Sequence, residues 1–272
     1  MKLSVAVADT NALPSAFVVF RGIETSIKKA ASMGYDGVEL ALKCAGEVDR
    51  ELLSQWLAQS DMEVSCISTG QVFADTGLMF TETDRQRRVK VRDVFRDMID
   101  LAEEFGRLVN VGRVRGQIGS LSREKAEQLF IEMARELCEY AGNKDVTLVL
   151  EPVNRYEIDF VNSVEQGVAL MCKVDMPNMK LMPDVFHMNI EDRTIGSELA
   201  RCIDYIAYVH MADSNRLAPG WGHTDFNDII NSLREADYDG WLSVEILPKP
   251  DPDAAARQAA EYLRPLIEGQ ND

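Results

Sequence analysis

The chain has 272 residues, with 29 Lys and Arg against 45 Asp and Glu, so its formal charge is −16 at pH 7. That length buries a large core without disulfides or structural metals. A surface this acidic repels phosphate backbones and anionic headgroups, which argues against nucleic acid and membranes as partners.

The first strand ends near Ala8 and is followed at once by Asp9; the segment from Met1 is too short and too soon charged to be a signal peptide. The long loop after it carries Phe17-Val18-Val19-Phe20, which would serve as an apolar lid or pack on the rim or on a neighbouring subunit. Further strands end near Leu40, Ser68, Gly112, Glu151, Asp184, His210 and Glu245, with amphipathic stretches between them. One such stretch holds Val91, Val94, Phe95, Met98, Leu101, Ala102 and Phe105 at helical spacing and stops at Gly106. Another runs from Ala126 through Leu129, Phe130, Met133, Leu137 and Ala141 to the Gly142-Asn143 stop. The sequence Tyr-Asp-Gly occurs at Tyr35-Asp36-Gly37 and again at Tyr238-Asp239-Gly240, each time closing a helix and opening a strand, with glycine suited to the left-handed helix exit. Eight β-strand and α-helix alternations without a linker predict a parallel (β/α)8 barrel, an α/β TIM barrel, as a single domain over 1–272.

No apolar run reaches membrane-spanning length. Cys44, Cys66, Cys138, Cys172 and Cys202 include no CxxC pair and sit singly in apolar stretches. They read as reduced, buried thiols of a soluble cytoplasmic protein.

In such a barrel the chemistry gathers at the C-terminal ends of the strands. The first four strands end at Asp9, Glu39, Thr69-Gly70-Gln71 and Arg113, and the last four at Glu151, Asp184, His210 and Glu245. Taken singly, each acid would as readily cap a helix or pair with a cation. Three carboxylates and one imidazole in consecutive units, converging on one mouth, would repel one another unless a cation lay among them. Oxygen-rich ligands with one histidine suit one divalent ion, Mn²⁺ foremost, with Mg²⁺ or Co²⁺ as substitutes. All three histidines, His187, His210 and His223, fall just past strands six and seven, on that face. Glu157 and Arg216 lie in the loops after strands five and seven, placed to touch a substrate or to pair with each other. Arg113 and Arg115 follow strand four; one of them, facing the site, could grip a substrate carboxylate, and pairing with nearby acids explains them almost as well.

The segments Glu151-Pro152-Val153-Asn154-Arg155-Tyr156-Glu157, Pro183-Asp184-Val185-Phe186-His187-Met188-Asn189, His210-Met211-Ala212-Asp213-Ser214-Asn215-Arg216 and Leu242-Ser243-Val244-Glu245 carry a resemblance. Over essentially its whole length the chain resembles the sugar isomerase/epimerase branch of the xylose-isomerase-like barrels. Within that branch it looks most like the ketose 3-epimerases. Ser68-Thr69-Gly70-Gln71, Val111-Gly112-Arg113-Val114-Arg115-Gly116 and Ala218-Pro219-Gly220-Trp221-Gly222-His223 make it most similar to the 5-keto-L-gluconate epimerase type.

The resemblance implies Glu151, Asp184, His210 and Glu245 as metal ligands and Glu151 with Glu245 as the acid/base pair. It also implies that Glu157, His187 and Arg216 contact a small sugar or sugar acid. Epimerisation next to a ketone, of a ketose or a keto-sugar acid such as D-tagaturonate, needs a stabilised enediolate and two carboxylates on opposite faces of one carbon. Aldose–ketose or hydroxypyruvate isomerisation uses the same intermediate and stays an alternative, as does a barrel that binds sugar without turning it over. An abasic-site endonuclease of this superfamily would need several zinc ions and more histidines than three. Barrels of this kind pair through their helices, so a homodimer or homotetramer is expected. The sequence assigns no role to Gln71, Arg113, Arg115, Trp221 or His223.

Overall fold

The structure, a computed structural model, describes residues 1–269; residues 270–272 of the expected domain lie outside the described residues. Strands β1 (Lys2–Ala8), β2 (Gly37–Ala41), β3 (Glu63–Ser68) and β4 (Leu108–Val111) pair in parallel, each with the next. Strands β5 (Thr147–Leu150), β6 (Met179–Leu181), β7 (Tyr208–His210) and β8 (Trp241–Val244) continue the ring, and β8 returns to β1. Eight barrel strands were expected and eight are present, with the two-residue strand Phe20–Arg21 added on the flank of β1. The seam between β6 and β7 closes through two isolated parallel bridges only, Leu181 with Ile206 and Asp184 with His210. The second of these sets two of the expected metal ligands side by side.

The helices follow from the sequence in the same way. Helices α1 (Ile23–Ser32), α2 (Arg50–Ser60) and α3 (Gly70–Thr76) come first; α4 (Arg85–Ala102) and α5 (Arg123–Gly142) bury Phe95, Met98, Phe130 and Met133 and are capped by the Asp84 and Ser122 side chains. Phe80, Phe95, Phe130 and Phe160 form a chain of ring contacts with centroids 4.9 to 6.0 Å apart, binding this shell to the barrel. Helices α6 (Val164–Val174), α7 (Val185–Glu191), α8 (Gly196–Arg201), α9 (Phe226–Glu235) and α10 (Pro252–Glu268) cover the other half. Among the described residues no helix is long and apolar enough to cross a membrane.

Three local expectations change. The strand read from Tyr205 begins only at Tyr208, because Ile203–Tyr205 winds into a 3₁₀ turn held by Ile206 N–H donating to the Ile203 carbonyl at 3.0 Å. In the Tyr-Asp-Gly echo, Gly34 takes the left-handed exit at φ 85°, but its counterpart is Asp237 at φ 57°. Gly37 itself serves close approach, since a Cβ there would lie 2.7 Å from the Glu63 carbonyl oxygen. Of the cysteines, Cys66, Cys138 and Cys202 are buried, whereas Cys44 and Cys172 are exposed. Cys44 precedes a 3₁₀ turn in a surface loop, and Cys172 sits on the outward face of α6 beside Lys173.

Candidate metal centre and active site

Beneath the mouth the barrel interior is polar. Glu39, almost fully buried on β2, accepts hydrogen bonds at one oxygen from His210 Nε2 (2.9 Å), the Tyr208 hydroxyl (3.0 Å) and the Ser243 hydroxyl (2.8 Å). The Tyr208 hydroxyl is in turn within 2.7 Å of Ser65 Oγ and 3.2 Å of Ser4 Oγ. With Nε2 engaged by Glu39, the other nitrogen of His210, Nδ1, points up into the site.

There it meets the acids. Glu151, Asp184, His210 and Glu245 each offer one ligand atom within 4.8 Å of all the others. His210 Nδ1 lies 3.5 Å from Glu151 Oε1 and 3.8 Å from Glu245 Oε2. Asp184 divides its oxygens: Oδ1 caps helix α7 (Val185–Glu191) by accepting from Phe186 N–H at 2.8 Å, and Oδ2 faces the cluster. Helix capping and site membership are therefore not alternatives for Asp184. Asp184 Oδ2 and His210 Nδ1 are both buried and have no hydrogen-bond partner. Two orphaned donor atoms aimed at one point, flanked by two more carboxylates, fit a divalent cation. Glycine at position 112 lets Glu151 sit close, because a Cβ there would come within 3.1 Å of Glu151 Oε2.

The electrostatics carry the same strain. Burial outweighs the cations around Glu245 and pushes its carboxyl up to about 8. Burial also lifts Asp184, to about 6, against the pull of Arg216 and His210. Glu151 is buried too, yet His210 and His187 take it down to about 2. His210 is raised well above its ordinary value, because Glu39 and Glu245 overcome the cost of burying its charge.

The expected substrate contacts surround the cluster. His187 Nε2 lies 3.7 Å from Asp184 Oδ2 and 3.8 Å from Glu151 Oε1. Asn154, which the sequence reading left without a role, orients that ring. Its carbonyl oxygen accepts from Tyr156 N–H at 2.9 Å, so its amide NH₂ faces His187 Nδ1 at 2.8 Å and Glu157 at 3.2 Å. His187 Nδ1 is thereby the acceptor and Nε2 carries the proton into the site. Burial, then the Arg216 charge, holds His187 down to about 3, so the ring is neutral. Arg216 bonds to Glu245 at 2.8 Å and Glu157 at 3.2 Å, so the two loop residues do pair with each other and still line the cavity. Its backbone is left-handed at φ 60°, the kind of strain that functional sites retain. Phe17 stacks on the Arg216 guanidinium at 3.9 Å and lines the cavity, whereas Val18, Val19 and Phe20 are buried against the rim.

The residues without an assigned role separate clearly. Gln71 ties the loop after β1 to the barrel, accepting from Leu13 N–H and donating to the Ala41 carbonyl. Arg115 is fully buried and donates to the Glu151 backbone carbonyl, so it reaches no substrate. Arg113 faces the cavity. His223 bonds to Ser214 at the surface, and Trp221 is half-exposed. Asp213 accepts backbone N–H bonds from Ser214, Gly220, Gly222 and Thr224, fixing the loop that carries both.

Known proteins bear out this architecture. The family model of the xylose isomerase-like TIM barrel matches residues 27–266. An L-ribulose 3-epimerase of Methylomonas sp. (strain DH-1) is 29% identical over 228 residues, spanning 82% of this chain and 78% of that protein. A Synechocystis protein named "Probable ketose 3-epimerase" is 26% identical over 242 residues, spanning 85% and 81% of the two chains. The crystal structure of a D-allulose 3-epimerase from Methylomonas sp. in complex with D-allulose superimposes with a TM-score of 0.81. It is 25% identical and covers 97% of each chain.

Proposed function

This chain belongs to the xylose isomerase-like TIM barrel family, and from that premise we propose that it is an isomerase, a metal-dependent ketose 3-epimerase. It inverts the carbon next to the carbonyl of a ketose or of a keto-sugar acid such as 5-keto-L-gluconate or D-tagaturonate. The observation that carries this reading is a pair of glutamates from strands separated by β6 and β7. Glu151 after β5 and Glu245 after β8 both reach the same imidazole nitrogen, at 3.5 and 3.8 Å.

Glu151, Asp184, His210 and Glu245 would hold a divalent ion, with Mn²⁺ first and Mg²⁺ or Co²⁺ as substitutes, which would supply Lewis-acid stabilisation of the enediolate. Glu151 takes the proton from one face of the carbon, and Glu245 delivers one to the other face. Reversing the two roles serves the opposite epimer. His187, neutral and with Nε2–H turned inward by Asn154, donates to the oxygen on which enediolate charge develops. Arg216, steadied by Glu157, orients Glu245 and adds a second donor. Phe17 covers that guanidinium and keeps water from the reacting carbon. The unpaired cysteines fit the cytoplasm, and the assembly is a homodimer or homotetramer, to be measured by sedimentation.

The test is turnover in D₂O with Mn²⁺ and D-fructose, D-tagatose, D-tagaturonate or hydroxypyruvate. From the three sugars the expected products are epimers at the carbon next to the ketone, carrying one deuterium there, with hydroxypyruvate left unchanged. Aldoses or tartronate semialdehyde as the only products would make the epimerase reading wrong.

A further inference from the structure

Two cavities meet at the barrel mouth. The inner one, about 60 Å³, is walled by Glu151, His187, Arg216 and Glu245. The outer one, about 900 Å³, spreads over the loop after β1 and helix α1 (Ile23–Ser32). Ser15, Ala16, Phe17, Arg113 and Glu157 line both, and so form the boundary. The inner space has room for about four to six waters at roughly 10–15 Å³ each, fewer than the heavy atoms of a hexulose. The reacting carbons fit there, and the far end of the substrate passes the boundary into the outer cavity.

The cations along that path differ in one respect. Arg21 donates to the Ala12 and Leu13 carbonyls, Lys29 is paired with Asp253 at 2.6 Å, and Arg216 is paired with Glu157 and Glu245. Arg113 stacks on the Phe73 ring at 5.1 Å, and its guanidinium makes no hydrogen bond or ion pair among the described residues. Its Nε is buried and has no partner. In a chain with 45 acids and 29 cationic residues, an arginine at the site boundary with neither an acid nor a carbonyl to bond is set apart for an anion from outside.

We propose that Arg113 binds a carboxylate at the far end of the substrate, which makes the preferred substrate a keto-sugar acid. The planar fork of guanidinium N–H groups matches the two oxygens of a carboxylate. The Phe73 ring under its face holds that fork in one plane. A phosphate, at about −1.5 to −2, would call for a second free cation, and the three others are engaged. This assignment rests on the epimerase reading for where the keto end of the substrate lies.

D-tagaturonate, D-tagatose and D-tagatose 6-phosphate differ only at that far end and are the probes. Each is measured for kcat/KM and, by calorimetry on the Mn²⁺-loaded protein, for affinity. The wild type is expected to favour tagaturonate over both others. Arg113→Gln is expected to cut the tagaturonate-to-tagatose ratio by roughly 10- to 100-fold, the worth of a charge-assisted pair of hydrogen bonds. Arg113→Lys, which keeps the charge and loses the fork, is expected to restore part of it. An unchanged ratio in Arg113→Gln, or a preference for the phosphate, overturns the assignment. Epimerisation of tagatose without any preference for the acid does so while leaving the epimerase reading intact. Tight, Arg113-dependent binding of tagaturonate without turnover of any probe instead removes the epimerase reading.

Discussion

Replacing Glu39 by Gln tests whether the buried carboxylate under His210 tunes the metal centre. The amide keeps the shape of the side chain, and with its oxygen in place of Oε2 it still accepts from His210 Nε2, Tyr208 and Ser243. Its nitrogen then replaces Oε1, which has no partner. That unpaired group costs about 1–3 kcal/mol of stability with or without metal, and so cancels from the binding constant. What remains is the lost negative charge behind the imidazole. Outer partners of this kind are worth roughly 10- to 100-fold in metal affinity, or about 1.4–2.7 kcal/mol.

The sign of the pH dependence can be worked out. Glu39 helps raise His210 well above its ordinary value, so in the metal-free chain an entering ion must displace a proton from that ring. Without Glu39 the ring is a weaker ligand but releases its proton more easily. The affinity deficit is therefore larger at pH 8.5 than at pH 6. Competition between the protein and a chelator for Mn²⁺ at both pH values reads this directly. A Glu39→Gln protein of native circular dichroism that binds Mn²⁺ within twofold of wild type at pH 8.5 would refute the reasoning.

Three further outcomes are expected. Glu245→Gln should lower kcat by about 10²–10⁴-fold while the protein still takes up Mn²⁺ more weakly, as seen by single-turnover assay and calorimetry; full activity would remove the two-carboxylate mechanism. Mn²⁺ affinity of the metal-free protein should climb between pH 6 and 8, as Asp184 near 6 and Glu245 near 8 give up protons. Calorimetry in two buffers of different ionisation heat checks the proton release. Burial lifts Asp192 to about 7, with help from Glu198, Glu191 and Glu165. Its folded form therefore holds a proton that the unfolded chain releases, and its contribution to stability is lost as pH rises from about 4 to 7. Asp192→Asn should gain more stability at pH 8 than at pH 5 in urea titrations, since its side-chain oxygen still accepts from Val164 N–H.

What the sequence made legible follows strand and loop chemistry. The eight strands and the four converging residues were readable because β-branched runs and their terminal polar residues are local signals. Three features were not, because they depend on packing across the barrel. Glu39 sits one strand-end residue among several until His210, 171 positions away, is laid against it. Asn154 reads as one more polar residue of a loop until its amide meets His187. Arg113 and Arg115 are two residues apart and look alike. Only the 3₁₀ turn Arg113–Arg115 decides that one is buried under Glu151 and the other opens onto the cavity. The same limit explains the cysteines: an apolar neighbourhood in sequence does not say which face of α6 Cys172 occupies.

The charge of the centre ties any metal it takes up to the loss of protons. Facing one another at the centre itself are Glu151, Asp184, Glu245, His210 and Arg216. At pH 7 without metal, Glu151 and Asp184 are ionised, Glu245 holds its proton, and His210 and Arg216 are cationic, for a sum of zero. With a divalent ion bound, three carboxylates, one arginine and a neutral imidazole again sum to zero. Neutrality is kept in both states because a buried net charge is expensive. Two protons, those of Glu245 and His210, therefore leave for each metal that enters at pH 7. Below about pH 6 a third, from Asp184, joins them. A stoichiometry near one at pH 7 would mean that Glu245 holds the same protonation state with and without the metal, and would refute the neutrality argument.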